Sequence, residues 1–569
     1  MTASPTGQVA SPERTDPTDR TALLERPPAS DAAPGRAEPA ASRGRGRLLV
    51  AAVLALGVAL RLFAIDGKRV LQPDEGVSYL AATGHEQAWG RAMAGGLAGH
   101  WTTAAAWMSY LRPHGFWGFT RIRVGLNVAD NHPPLYFWAL HLWVWRLGVH
   151  LWSGPLLNTA IVVGTGLLLY VLARRVLSND SAAALVVALW IVSHPVVTVT
   201  LWARQYELLA LCGVLVALAL VRLVESSRRP GPSDVVLLAA AVAAALLTQY
   251  EASLFVLVAV AGTALVLAVA RRASRLPHLL VGAALGVATF VALDPGFLRS
   301  FTRQRAQASP LFAAAILARL GNVVSSLESF YVWYRQPPLN GTTQAYQRGR
   351  YEALAIVVAL IAAVSLVAAL PRLRRGLVAW SRRRSTGDWV LLVVGAGAAA
   401  ATLGGYLALE VPAYAMGTRY LALLWPFLAL ATVCALRLLP RPALLTALVV
   451  ALVVVPMTAM GFATARSERP PATVAPGLVV DDCTRLVLPR LLWPLPGDTP
   501  VFAARPSALV QRPDAWLAGL RPGDVVITGY GGDVARSDRL AALLEARYRT
   551  TPAPGLTALR GYRVVARRD

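Results

Sequence analysis

The sequence predicts an α-helical polytopic membrane protein that ends in a small α/β domain. Apolar runs follow one another from residue 48 to residue 462, each close to the roughly 20 residues that a bilayer span needs. Hydrophobic residues make up 56% of the chain and charged residues 15%, with a mean hydropathy of +0.50, which is not the composition of a soluble enzyme. The arginines gather in short clusters at the ends of those runs. The net charge of +24 therefore reads as membrane topology and not as a nucleic-acid surface.

The elements follow in order. Residues 1–42 are rich in Pro, Ala, Ser, Thr and charge and cannot bury a core, so they are expected to form a disordered cytoplasmic tail. The first apolar run starts too late, and lacks the small-residue cleavage pattern, for a signal peptide. Arg43, Arg45 and Arg47 anchor the tail inside. Candidate spans are 48–65, 156–173, 182–202, 205–224, 234–249, 251–270, 277–296, 351–370, 388–409, 418–438 and 442–462.

The segment 133–149 is a twelfth apolar stretch, but it is short and carries His141 and Arg146. Charge parity decides its reading. If the Arg clusters at 174–175, 222–229, 271–275, 372–384 and 437–441 are all cytoplasmic, the chain crosses only once between His132 and Arg174. Residues 133–149 then lie along the outer interface, with Trp138, Trp143, Trp145 and Trp152 in the aromatic belt. This gives 11 spans with an external C-terminus; the rival is 12 spans with an internal one.

A membrane domain at 43–462 thus carries two large external loops, 66–132 and 297–350. Residues 463–569 form a second, extracytoplasmic unit, with strands at 501–503 and 525–528, helices at 514–520 and 537–547, and a terminal hairpin at 556–566. Gly529-Tyr530-Gly531-Gly532 is a turn rather than a phosphate loop. Cys212, Cys434 and Cys483 fit no metal or disulfide spacing, and the sparse histidines of the first loop fit no zinc pattern.

Polar groups concentrate on the predicted outer face. The acidic pair Asp74–Glu75 follows the first span, and a carboxylate at a membrane edge is a functional candidate by default. It could act as general base towards a hydroxyl or amine, hold a divalent cation such as Mg or Mn, or simply cap a helix starting near Val77. Asp130-Asn131-His132-Pro133-Pro134-Leu135-Tyr136 brings the chain back to that face, and its prolines fix a sharp entry to the next segment. Trp202-Ala203-Arg204-Gln205-Tyr206-Glu207 places an arginine on the outer side, where it suits a phosphate or snorkels to headgroups. Glu251 and Arg419 sit at two further polar breaks, and Arg419 is a second phosphate-ligand candidate.

In their order along residues 48–462, these motifs resemble the bacterial glycosyltransferases of the GT-C fold, in particular the group of protein O-mannosyltransferases and lipid A aminoarabinose transferases. The carriers are Asp74–Glu75, His132-Pro133-Pro134-Leu135-Tyr136, Ala203-Arg204-Gln205-Tyr206 and Gly417-Thr418-Arg419-Tyr420. Gln205 stands where the group has Met, and the first loop is longer than usual. The resemblance implies an inverting transfer of a sugar from a polyprenyl-phosphate donor to an acceptor at the outer face of the cytoplasmic membrane. It assigns Asp74, with Glu75 beside it, to catalysis. His132, Arg204, Tyr206, Arg419, Tyr136 and Glu251 are then donor-binding candidates. The sugar and the acceptor (glycan, lipid or protein) stay open. A flippase of lipid-linked saccharides and a non-catalytic envelope assembly protein are the competing classes. The sequence shows no inverted repeat that would favour the former.

Overall fold

A computed structural model describes residues 40–226, 230–306, 327, 330–331, 385–408, 418–438, 441–465, 475–528, 534–553 and 560–568. Most of the predicted tail, the span at 351–370, most of the loop 297–350 and the glycine cluster at 529–532 lie outside the described residues.

The first apolar run is helix α1 (Ala40–Gly67). The loop after it is itself structured: α2 (Pro73–Thr83), α3 (Glu86–Arg91), a π-turn at Ala92–Gly96, strand β1 (Trp101–Thr103), α4 (Ala104–Met108) and α5 (Phe119–Ala129). Pro133 and Pro134 then hold the backbone out of a helix, and α6 (Leu135–Leu147) begins directly after them. Its 13 residues reach only about 20 Å, too short to cross a bilayer. It buries Tyr136, Phe137, Leu140, His141 and Val144 on one stripe and exposes Leu142, Trp145 and Leu147 on the other.

The bundle follows as α7 (Ser153–Leu177), α8 (Asp180–Val192), α9 (His194–Thr200), α10 (Tyr206–Glu225), α11 (Pro232–Thr248), α12 (Ala252–Val269), α13 (Leu276–Leu293) and α14 (Phe297–Ala306). It continues with helices Thr386–Ala408 and Trp425–Leu438 and with a helical run from Pro442 to Ala465. Every predicted span within the described residues is helical. Among those residues six helices are long and apolar enough to cross a membrane, or seven if α8 and α9 form one broken span.

That pair, predicted as one continuous span at 182–202, bends by 57°. Ser193 leaves helical geometry at the bend, and Pro195, without an N–H, opens the second half. Arg61 of α1, fully buried, donates to the Ile191 carbonyl at 2.9 Å and to the Thr200 hydroxyl at 3.2 Å, on either side of the break. The Thr200 hydroxyl in turn contacts Glu207 at 2.8 Å. A break at membrane depth thus acquires polar partners from inside the protein.

The C-terminal sheet holds six strands in the order β1-β3-β2-β4-β6-β5. The predicted strands are β3 (Pro500–Ala503) and β4 (Val525–Thr528); the terminal pair begins earlier than the hairpin expected at 556–566, as β5 (Tyr548–Pro552) with β6 (Arg560–Arg567). Sequence reading missed β2 (Leu478–Val480), which lies parallel between β3 and β4. It also missed that β1, from the first loop some four hundred residues earlier, pairs antiparallel with β3, Thr102 opposite Val501.

Alternation divides the sheet's work. Leu478, Val480, Val501, Ala503, Val525 and Ile527 share one core with Trp89, Trp107, Tyr136 and Phe137 of the loop helices. Val479, Phe502 and Val526 pack instead on Trp516, Leu517, Leu540 and Leu544 of the domain itself.

Candidate active site

Asp74 and Glu75 lie in the first turn of α2, which Pro73 opens and Gln72 caps; the helix does not wait until Val77, and Asp74 is not its N-cap. Neighbours on a helix point about 100° apart, so the two carboxylates diverge.

Glu75 is fully buried. Lys68, the single lysine of the chain, donates to both its oxygens at 2.8 Å and to the Leu201 carbonyl at 2.6 Å. The backbone N–H groups of Gln72 and Ala203 donate to Glu75 at 2.7 and 3.0 Å. The carboxylate therefore staples the end of α1, the start of α2 and the turn before α10. Gly154 of α7 lets that turn approach closely, since a Cβ there would stand 2.2 Å from the Ala203 Cβ.

Asp74 faces the other way and keeps about a quarter of its side chain exposed. Its Oδ1 lies 3.3 Å from Nη2 of Arg204, and its Oδ2 accepts from Nη1 of Arg419. The Arg419 guanidinium sits over the rings of Trp202 and Tyr420, 5.7 and 5.1 Å from their centroids. Tyr206 meets Tyr420 edge-on at 5.8 Å. Burial alone would raise the Asp74 carboxyl; the guanidiniums of Arg204 and Arg419 outweigh it and hold the group at about 2.

Arg204 is buried, and its Nε and Nη1 have no hydrogen-bond partner among the described residues. Two unsatisfied N–H groups of a buried guanidinium are costly, and a pair of anionic oxygens would satisfy them.

His132 reaches this centre from the second motif. Its Nδ1 lies 2.8 Å from Oδ1 of Asp130, and its charge, when protonated, adds to the arginines around Asp74. Tyr136 is fully buried close to Glu75, Arg204 and Asn158. Asp74, His132, Arg204, Tyr206 and Arg419 are thus brought together, with Glu75 and Tyr136 supporting them from inside.

No described contact joins Glu251 to this group. It stands at the start of α12, beside a different polar cluster. There Asp294, fully buried, accepts from the Tyr250 hydroxyl at 2.9 Å and from Asn127 at 3.0 Å. Gln205 and Gln249 also pair, at 2.8 Å. Sequence reading placed Asp294 on the outer face but made neither it nor Asn127 a site candidate, although an acid closing a span is a signal of its own.

A divalent cation does not fit the Asp74–Glu75 pair in this geometry. Both Asp74 oxygens face guanidiniums, and both Glu75 oxygens are taken by the Lys68 ammonium and backbone N–H groups.

Comparison with known proteins supports a glycosyltransferase over part of the chain: the family model for dolichyl-phosphate-mannose-protein mannosyltransferases matches residues 131–293, from the His132 motif through the Arg204 turn to the end of α13. Among solved structures the chain is similar to the crystal structure of ArnT from Cupriavidus metallidurans bound to undecaprenyl phosphate. The two share 14% identity and a TM-score of 0.49 over 92% of this chain and 98% of that one. No curated protein matches by sequence.

Proposed function

We propose that this protein transfers a sugar from a polyprenyl-phosphate donor to an acceptor hydroxyl at the outer face of the cytoplasmic membrane. The observation that carries the reading is one carboxylate held between two arginines, one of which has N–H groups to spare. The donor phosphate competes with Asp74 for Arg204 and Arg419, with His132 assisting. Fixed positive charge there stabilises the phosphate as it leaves. Asp74, relieved of the arginines, regains basicity and takes the acceptor proton. The acceptor oxygen attacks the anomeric carbon from the face opposite the phosphate. The bond to the phosphate oxygen breaks, its electron pair leaves with the lipid phosphate, and the sugar inverts. Glu75 holds the Arg204 turn and does not handle protons.

The placement of β1 supports the outward topology. One sheet contains a strand of the first loop and the C-terminal strands, so both occupy one side of the membrane. That requires an odd number of spans in total, which favours 11 over 12 and an extracytoplasmic C-terminal domain.

The test is transfer by purified protein supplied with a panel of polyprenyl-phosphate sugars and an envelope extract, comparing wild type with Asp74→Asn. Product that disappears in the variant supports the reading and names the donor. Donor binding without turnover would favour a flippase, for which the broken α8–α9 pair is the supporting observation.

A further inference from the structure

One side chain of the C-terminal domain, Arg485, reaches the loop segments that flank the site. Arg485 lies in the segment after β2 and donates to Oε1 of Glu86 in α3 and, at 2.6 Å through Nη2, to the Ala129 carbonyl at the end of α5. Its Nη1 stands 4.0 Å from Oδ2 of Asp130, whose other oxygen holds His132. Its backbone is as close: a Cβ on Gly76, two residues after Asp74, would stand 2.7 Å from the Arg485 carbonyl oxygen. Close by, the indole of Trp89 donates to the Cys483 carbonyl at 3.3 Å. Three separate pieces of the first loop therefore meet on one residue of a domain that follows the last predicted span.

We propose that Arg485 is a positioning residue of the transfer site: it fixes the Ala129–His132 turn against the Asp74 helix, so that His132 reaches the donor phosphate. The proposal rests on the transferase reading above. The planar fork of a guanidinium suits this task, since its two Nη groups bridge the Glu86 carboxyl oxygen and the Ala129 carbonyl together and a lysine ammonium cannot. The C-terminal domain is then part of the catalytic assembly, and its sheet, clasped through β1 and β3, sets where Arg485 stands.

The test compares Arg485→Ala and Arg485→Lys with wild type in the full-length, detergent-purified protein. Three quantities are read: the donor KM, kcat at saturating donor, and the affinity for polyprenyl phosphate in micelles. Arg485→Ala is expected to raise the donor KM and weaken polyprenyl-phosphate binding by about tenfold or more, with kcat changed far less. Arg485→Lys, which keeps the charge and the fold, is expected to recover only part of either, so the reading survives if the Ala variant does not fold. Wild-type KM and affinity in the Lys variant, or a fall in kcat with KM and affinity unmoved, would overturn the proposal. Failure of the transferase reading is read separately: wild type then transfers from no donor, while the affinity measurement still reports on Arg485.

Discussion

Asp74 and Arg419 meet across almost the whole length of the membrane domain, the carboxylate from the first external loop and the guanidinium from a short 3-10 turn, Thr418–Leu421, just before a late helix. Arg204 joins them from the other side. In the proposed mechanism the site is an electrostatic clasp that the donor phosphate opens, and the expected behaviour follows from that.

Asp74→Asn is expected to lower kcat by roughly 10²–10⁴-fold, the range for loss of a general base. Polyprenyl-phosphate affinity should hold or rise, because both arginines lose a competitor. Equal losses in affinity and rate would instead make Asp74 a binding group.

The pH dependence separates the free enzyme from the complex. With Asp74 held at about 2 when the site is empty, kcat/KM should show no acid limb from this group near pH 4–6. Donor binding draws off the arginines and raises the carboxyl, so the acid limb is expected in kcat. In Arg419→Ala the free-enzyme group rises as well, and the limb should appear in kcat/KM. A kcat/KM limb in wild type that Asp74→Asn removes would contradict this.

Arg204→Ala is expected to weaken donor binding by about 1.5–3 kcal/mol, the worth of charge-assisted hydrogen bonds, or roughly ten- to a hundredfold. Arg204→Lys should not restore it, since an ammonium cannot replace the fork. Titration with polyprenyl phosphate measures both.

Glu75 and Lys68 should respond as a structural pair. Both are buried, and removing one leaves an uncompensated charge, so Lys68→Met is expected to cost about 3–5 kcal/mol. The double variant Lys68→Met/Glu75→Leu should recover part of that loss. Thermal unfolding in detergent reports it. A Glu75→Gln enzyme with normal melting but no turnover would return Glu75 to the chemistry.

Glu86 supplies a stability signature. Burial, then the neighbouring Asp130 carboxylate, pushes its carboxyl up to about 8 against the pull of Arg485 and Arg204. Between the ordinary value of 4.5 and about 8 the folded state keeps a proton that the unfolded chain has lost. Stability from this group is therefore full below pH 4.5 and falls as the pH rises towards 8. Glu86→Gln should flatten that slope in melting temperatures taken from pH 5 to 9; an unchanged slope would place the titration elsewhere.

The membrane bundle was legible in the sequence because the bilayer imposes a local rule. Each span must be long, apolar and internally hydrogen-bonded, and such a property can be read in a window of twenty residues. The prolines before α6 are equally local, and they mark the start of a helix too short to span. Asp74, Arg204 and Arg419 stood out as charges at membrane edges, where every charge is conspicuous.

What the tertiary structure decided is which of these groups meet and which way they face. Asp74 and Glu75 are adjacent in the chain, yet the helical rotation between neighbours sends the first to two arginines and the second to Lys68. Glu251 was as conspicuous as Arg204 but falls outside the cluster. Arg485 is one arginine among many in a domain with no membrane to make it unusual. Its role depends on β1 crossing over to pair with β3. A span reports on its own neighbourhood, whereas an ion pair or a strand pairing between distant segments depends on packing that no window of sequence contains.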